Sequence, residues 1–281
     1  MSGQEFHLAI SAATADQRPS QLLAGVSALS QATLKDAMHK GAVWLTHAGH
    51  TRRLRRQKPR LAAGDQLHLY YDARVLAQEP PQAQLLVDEG DYSVWYKPPG
   101  MRSQGSKWSD HTTLTRWSEL HLQPQRPAFL VHRLDRAARG LMLIAHSKSM
   151  ARQLAALFEQ RRVEKRYRVI VQGEFPLKPA EQVFTAPVDG KPAHSSARRQ
   201  AFDPATGRSI LEVTIETGRK HQIRRHLAEA GFPVVGDRLH GEGLQQDDLQ
   251  LAAVSLAFTH PGSGESKHYA LPQDLWPDQP V

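Results

Sequence analysis

Val131-His132-Arg133-Leu134-Asp135-Arg136-Ala137-Ala138-Arg139-Gly140 runs without a break into Leu141-Met142-Leu143-Ile144-Ala145. Phe129 to Val131 and Leu141 to Ala145 are short apolar runs of strand length, so the pattern predicts two buried strands joined by a tight connection that carries Asp135. Gly140 suits a turn there, because it takes positive φ at no steric cost. The connection sets one carboxylate among three arginines, Arg133, Arg136 and Arg139. Nearby positive charge favours the ionised carboxylate, and such a group acts as nucleophile or base and forms covalent intermediates with sugar carbons. The plainer alternative is that Asp135 only neutralises the arginines of a loop.

The whole chain narrows the choice. Its 281 residues, 40% hydrophobic and 23% charged, suffice for one large domain or two unequal ones. Lys and Arg outnumber Asp and Glu by 36 to 28, which makes a polyanion the natural partner. There is no cysteine, so disulfides, cysteine nucleophiles and thiolate metal sites are excluded. The histidines, among them His7, His39, His47, His50, His111 and His121, are scattered rather than set at ligand spacing, and no metal is expected. No window approaches the apolar length of a membrane span, and Met1 to Glu5 lacks the basic start of an export signal, so a cytoplasmic protein is expected.

Residues 1–19 show no sustained period and read as an irregular lead-in. From Ser20 to about Asp72, Leu22, Leu23, Val26 and Leu29 recur at helical spacing, and Leu34, Ala37 and Met38 mark a second helix closed by Gly41. Val43-Trp44-Leu45 and Leu67-His68-Leu69-Tyr70 read as strands. Between them Arg52-Arg53-Leu54-Arg55-Arg56-Gln57-Lys58-Pro59-Arg60 holds six basic residues in nine with no acidic neighbour, a solvated loop or an RNA contact. Gln78-Glu79-Pro80-Pro81-Gln82 reads as a linker over 73–84, with a boundary near residue 80.

The order helix, helix ending in Lys40-Gly41, strand, basic loop, Gly64-Asp65, strand resembles the small RNA-binding domain first described in a ribosomal small-subunit protein. His47-Ala48-Gly49-His50 stands where that family has a strand-turn such as Val-Asn-Gly.

In residues 85–281 strand-formers lead to Tyr96-Lys97-Pro98-Pro99-Gly100, and a helix is expected around Thr113 to Leu120. Met150, Leu154, Leu157 and Phe158 give Ser149 to Arg161 an amphipathic helical stripe. Over Val163 to Gly173 a period of two puts Tyr167, Val169 and Val171 on one face of a strand. Residues 174–209 lack pattern. Ile210 to Glu216 alternates as a strand and delivers the chain to Thr217-Gly218-Arg219-Lys220-His221-Gln222-Ile223-Arg224-Arg225-His226-Leu227, a helix closed by Gly231. Ile223 and Leu227 face its core, while Arg219, Lys220, Arg224 and Arg225 crowd its start against the helix dipole, as though an anion meets them.

His132-Arg133-Leu134-Asp135, Lys165-Arg166-Tyr167-Arg168-Val169 and Thr217 to Leu227, in that order, closely resemble the signatures of RluA-type pseudouridine synthases. Tyr96 to Gly100, Gly231 to Gly241 and Phe258-Thr259-His260-Pro261 resemble the family's supporting segments. The resemblance implies an α+β fold, with a mixed, mainly antiparallel central sheet and flanking helices behind a small N-terminal α/β RNA-binding domain. It implies an isomerase that converts uridine in ribosomal or transfer RNA to pseudouridine, as a monomer and with no cofactor. By the same resemblance Asp135 is the catalytic aspartate, Tyr167 packs against the base, and Arg224 pairs with the aspartate. Arg133 and Ile223 join them around the substrate, while Lys35, Arg52, Arg53, Arg55, Arg56, Lys97, Arg136 and Arg219 are expected to contact RNA.

The chemistry is consistent with the residues. Isomerising a uridine requires its base to leave the stack, at a cost of a few kcal/mol, and stacking on an aromatic face returns about 1–3 kcal/mol. One departure stands out: Arg136-Ala137-Ala138-Arg139-Gly140 replaces the family's Thr-Ser-Gly type of turn, which could loosen the loop or give Asp135 a new partner in Arg139. Two alternatives remain at this stage. A protein that only grips RNA needs the cations but not Asp135, Tyr167 and Arg224 together. A carboxylate-nucleophile glycosidase needs a second acid near Asp135, and none is evident.

Overall fold

Leu141 to Ala145, all fully buried, form the middle of the strand that follows the aspartate loop, and the larger sheet is built around it. The computed structural model describes residues 3–57, 61–241 and 248–277. Contacts divide the chain into two units, Met1–Pro80 with Gln104–Trp117, and Pro81–Ser103 with Ser118–Val281.

The first unit contains β1 (Gln4–Ala9), α1 (Pro19–Ser27), α2 (Gln31–His39), β2 (Val43–His47), β3 (His50–Arg53), β4 (Gln66–Tyr71) and α3 (Ala73–Leu76). Its strands pair antiparallel in the order β1-β4-β2-β3. Leu23, Leu34, Ala37, Met38, Val43, Leu45, Leu67 and Leu69 form the core, which explains the helical and alternating spacings of these residues. Ser30 caps α2 by accepting from the Thr33 amide at 3.1 Å.

Four sequence expectations change here. The lead-in is not irregular throughout: Gln4–Ala9 is an edge strand whose pattern is half-exposed and therefore weak. Val26 is exposed rather than core. The expected linker begins with the short helix α3, capped by the Asp72 side chain. The expected basic loop starts as β3, joined to β2 by Ala48 and Gly49, both at positive φ. Lys58 and Arg60 of that basic run lie outside the described residues.

The second unit contains β5 (Gln84–Asp88), β6 (Tyr92–Lys97), β7 (Phe129–Leu130), β8 (Arg139–Ala145), α5 (Lys148–Glu159), β9 (Glu164–Gln172), β10 (Gln182–Phe184), β11 (Ser195–Asp203), β12 (Arg208–Ile215), α6 (Gln222–Glu229), β13 (Leu251–Thr259) and β14 (Ser266–Ala270). Helix α4 (Leu114–His121) precedes β7, and the division between the units falls within it. Ten strands form one sheet, in the order β10-β11-β12-β9-β13-β8-β6-β5, with β14 on β13 and β7 on β8. Among the described residues only the β13–β8 pairing is parallel, so the sheet is mixed and mainly antiparallel. The amphipathic stripe of α5 packs Met150, Leu154 and Leu157 into the core with Leu141, Leu143 and Leu256.

The patternless stretch 174–209 hides two strands. β11 reads Ser-Ser-Ala-Arg-Arg-Gln-Ala-Phe-Asp and is held by pairing on both sides rather than by apolar alternation. Gly140 lies within β8 rather than in a turn, at φ +120°, and a Cβ there would come 2.4 Å from the Ala253 carbonyl oxygen of β13. A glycine is required for the close parallel approach.

Candidate active site

Asp135 sits in the eight-residue loop between β7 and β8, which pair antiparallel and return the chain across it. The loop is fixed by backbone bonds. Buried Ser103 donates to the Leu134 carbonyl at 2.7 Å and accepts from the Leu134 amide at 3.1 Å. The Gly100 amide donates to the Arg136 carbonyl at 2.8 Å, the Arg136 Nε donates back to the Gly100 carbonyl at 3.0 Å, and the Ala138 amide reaches the Asp135 carbonyl at 3.2 Å. The Arg-Ala-Ala-Arg turn therefore has anchors that need no hydroxyl.

Lys97 adds another anchor. It is fully buried, and its Nζ donates to the carbonyls of Met101 at 2.9 Å, Pro98 at 3.0 Å and Arg136 at 3.3 Å. Burial pulls its pKa down to about 7, with the Asp135 charge pulling the other way. The expectation that Lys97 meets RNA is corrected: an ammonium enclosed by three carbonyls ties the loop from inside.

The carboxylate itself is one-fifth exposed and lines a cavity of about 340 Å³ with Arg133, Tyr167, Ile223 and Arg224. Arg224 donates from Nη1 to Asp135 Oδ2 at 3.2 Å. Its Nε and Nη2 are held in a fork by Asp237, whose side chain is fully buried. Asp237 also accepts from the amides of Leu239 at 3.0 Å and His240 at 3.1 Å. Burial raises the Asp237 pKa, but Arg224 and these amides outweigh it and leave the carboxyl below its usual range. The other Asp135 oxygen has His221 Nε2 at 3.8 Å, beyond hydrogen-bonding distance. That oxygen keeps its lone pairs for chemistry.

The three neighbouring arginines are not the carboxylate's partners, which corrects the sequence expectation. Arg136 is spent on Gly100, Arg139 opens β8, and Arg133 is exposed at the cavity wall. The guanidinium that does reach the carboxylate comes from a helix elsewhere in the chain.

That helix starts later than expected. α6 begins at Gln222, with His221 in the left-handed region at φ 56°. Gln222 is buried and ties the turn together, accepting from Thr217 Oγ1 at 2.7 Å and the Arg219 amide at 3.0 Å while donating to the His194 carbonyl and Ser195 Oγ at 2.9 Å. The expected crowd of four cations at the helix start is dispersed: Arg224 meets Asp237 and Asp135, Arg225 meets Asp189 at 2.7 Å, Arg219 donates to the Pro192 carbonyl at 3.0 Å, and Lys220 stays exposed.

Tyr167 lies on β9 between β12 and β13, opposite Val213 and Ala253, and is 7% exposed. Burial first, and the charge of Asp135 second, push its phenol pKa up, so it stays neutral. His132 is half-buried, stacks on Phe158 at 4.3 Å between ring centres, and accepts from the Leu143 amide through Nε2 at 2.9 Å. Desolvation takes its pKa down to about 3. It is a neutral structural ring beside the loop. Among the described residues no group of three or more His, Asp or Glu side chains is arranged to hold a metal, and no helix is long and apolar enough to cross a membrane.

In the first unit, Lys35, Arg52 and Arg56 are exposed, but Arg53 and Arg55 are not free. Arg53 donates to the carbonyls of Gly41 and Ser106, pairs with Asp110 at 3.0 Å and lies 4.2 Å above the Trp44 ring. Arg55 forks onto the same Asp110 carboxylate. The basic run does have an acidic partner, more than fifty residues away in sequence.

Sequence reasoning assembled Asp135, Tyr167, Ile223, Arg133 and Arg224 around one cavity but missed Asp237, Ser103, His221 and Lys165. Asp237 does carry a signal in the sequence: it is the acidic residue of the Gly231 to Gly241 segment that resembles the family's.

The chain is similar to known RNA pseudouridine synthases. The sequence profile described as RNA pseudouridylate synthase matches residues 91–229. The chain is 30% identical to tRNA pseudouridine synthase C of Vibrio parahaemolyticus over 217 residues, 66% of this chain and 88% of that protein. It is 29% identical to the dual-specificity RNA pseudouridine synthase RluA of Vibrio vulnificus over 220 residues, 70% of this chain and 86% of that one. Human RNA Pseudouridylate Synthase Domain Containing 1 shares the fold with a TM-score of 0.57 at 21% identity, covering 70% of this chain and 86% of its own.

Proposed function

This chain belongs to the RluA-type RNA pseudouridine synthases and is an RNA-modifying isomerase; we propose that Asp135 is its catalytic carboxylate and that its substrate is a uridine of transfer or ribosomal RNA. The observation that carries the reading is the unequal holding of the Asp135 carboxylate: one oxygen is fixed by an arginine that buried Asp237 immobilises, and the other is left open beside Tyr167. The reaction breaks the bond from uracil nitrogen to sugar carbon, turns the base, forms a bond from a ring carbon to the same sugar carbon, and moves one proton in net terms, lost from that ring carbon and gained by the freed nitrogen. No electrons or water are consumed.

In this cavity the extruded base packs against Tyr167, and Ile223 contributes an apolar wall. Arg224 holds Asp135 oriented, and Asp135 acts on the sugar or the ring, by attack or by proton abstraction. Tyr167, raised above its ordinary pKa, gives a neutral face rather than a base. We read the first unit as an RNA-binding module in which Lys35, Arg52 and Arg56 meet phosphates, and the whole as a cytoplasmic monomer.

A pseudouridine map of total RNA, by carbodiimide labelling and primer extension, tests this in cells with the gene intact, deleted or restored as Asp135→Asn. A site lost on deletion and not regained with the variant is expected, and it names the substrate. Regain of the site with Asp135→Asn removes the aspartate from the chemistry.

A further inference from the structure

Lys165 precedes Tyr167 by two residues on β9, so both side chains leave the same face of the strand about 7 Å apart. They are buried alike, at 8% and 7% exposure. The tyrosine has a place in the site described above, and the lysine has none. Its ammonium makes no hydrogen bond or ion pair with any described residue, yet it is not sealed off. It lines the catalytic cavity and also a second, more open one of about 490 Å³ bounded by Arg161, Arg162, Glu164, Glu216 and Phe258.

The acids near it are engaged elsewhere or out of reach. Glu164 accepts from Arg166 Nε at 2.7 Å, and Glu216 pairs with His194 at 3.2 Å and Arg161 at 3.6 Å. Glu159, at the rim of the catalytic cavity, forms no ion pair with Lys165 among the described residues. Arg162 is exposed and has no side-chain partner among the described residues. Burial, with Arg161 adding repulsion, depresses the Lys165 pKa. A lysine whose side chain is largely buried and has no counter-charge is costly unless something supplies one.

We propose that Lys165 binds a backbone phosphate of the RNA strand next to the uridine in the catalytic cavity, with Arg162 facing the same strand from the second cavity. The proposal rests on the reading that this cavity receives a uridine. An extruded nucleotide stays tethered by phosphates on both sides, so the strand must pass the cavity mouth. A phosphate carries the full charge that compensates a buried ammonium, and a uracil carbonyl, with only a partial charge, does not. Lys165 is then a positioning residue that fixes how deep the sugar sits relative to Asp135.

The test uses the full chain and a nine-residue oligouridylate, with affinity followed by fluorescence anisotropy as salt is varied. Lys165→Gln should bind about 5–10-fold more weakly at low salt, and its log–log salt slope should shrink by about 0.7, one phosphate on a single strand. Lys165→Arg should keep both within about twofold, as should the control Lys148→Gln at an exposed position that opens α5. Lys165→Gln should melt no lower than the parent, because an uncompensated buried charge has gone. An unchanged slope overturns the proposal; if affinity falls at constant slope, the lysine meets a neutral group such as a uracil carbonyl. A Lys165→Gln chain that cannot fold overturns it too, since a structural role then accounts for the residue. The readout is binding rather than turnover, so it stands apart from the pseudouridine map and its failure is not confused with failure of the enzymatic reading.

Discussion

Two clusters of three charges, one in each unit, are mirror images in their bookkeeping. In the first unit Asp110 is shared by Arg53 and Arg55, an excess of one positive charge. In the second Arg224 is shared by Asp135 and Asp237, an excess of one negative charge. The positive excess is absorbed by backbone: Arg53 donates to the Gly41 and Ser106 carbonyls, and Gly41, at φ +82°, leaves no room for a Cβ beneath Asp110. Among the described residues no backbone donor takes up the negative excess at Asp135: the Asp237 oxygens are saturated by Arg224 and two amides, one Asp135 oxygen has only His221 at 3.8 Å, and the buried Lys97 ammonium acts on Asp135 through space alone. The two runs of basic residues look alike in sequence, and the sign of the leftover charge separates a structural clamp from the cluster proposed here as the reactive site.

The largest effect should come from Asp237→Ala. It leaves a buried guanidinium with a single partner, which typically costs about 3–5 kcal/mol. Urea denaturation should show that loss, and isomerisation should fall along with it. Asp110→Ala frees two arginines that are already 15% and 23% exposed and that retain carbonyl acceptors, so a smaller loss, about 1–2 kcal/mol, is expected. Equal losses would mean that burial does not distinguish the clusters.

Acid should separate the regions next. His132 has a folded-state pKa of about 3 against an ordinary 6.5, so the unfolded chain takes up a proton that the folded ring refuses. Its contribution is complete above about pH 6.5, declines as pH falls below that, and is spent near pH 3. Asp237, depressed in the fold, adds a loss of the same sign lower in the acid range. At pH 4.5 the His132 part is about 1–3 kcal/mol relative to pH 7. His132→Phe keeps the stack on Phe158 but forfeits the bond from Leu143, so it should start less stable at pH 7 and close the gap on acidification. A gap independent of pH would show that the ring titrates normally.

How much of this was legible in the sequence follows from the range of each interaction. The resemblance of three short motifs pointed to Asp135, Tyr167 and Arg224 and to the pairing of Arg224 with Asp135 across 89 residues. The partners outside that resemblance were not legible: Asp237 on Arg224, and Asp110 on Arg55 across 55 residues, are encoded by no local period. β11 escaped because its neighbours, rather than its own side chains, make it a strand. Lys97 is expected from sequence to contact RNA because a chain of letters does not show that three carbonyls converge on it.

The smallest expected effect is the sharpest test of the mirror. Arg52 and Arg53 are adjacent in sequence, as are Arg55 and Arg56, and a charge count treats all four alike. The structure does not: Arg52 and Arg56 are exposed, while Arg53 and Arg55 are held on Asp110. Arg52→Gln with Arg56→Gln should weaken RNA binding several-fold and flatten its salt dependence by one to two phosphate contacts, with stability within about 0.5 kcal/mol of the parent. Arg53→Gln with Arg55→Gln should do the reverse, lowering stability while barely changing the salt slope, because cations already neutralised by a carboxylate release few counterions when RNA arrives. If both pairs flatten the slope equally, the Asp110 cluster opens to RNA, and its positive excess is functional in the way proposed for the negative excess at Asp135.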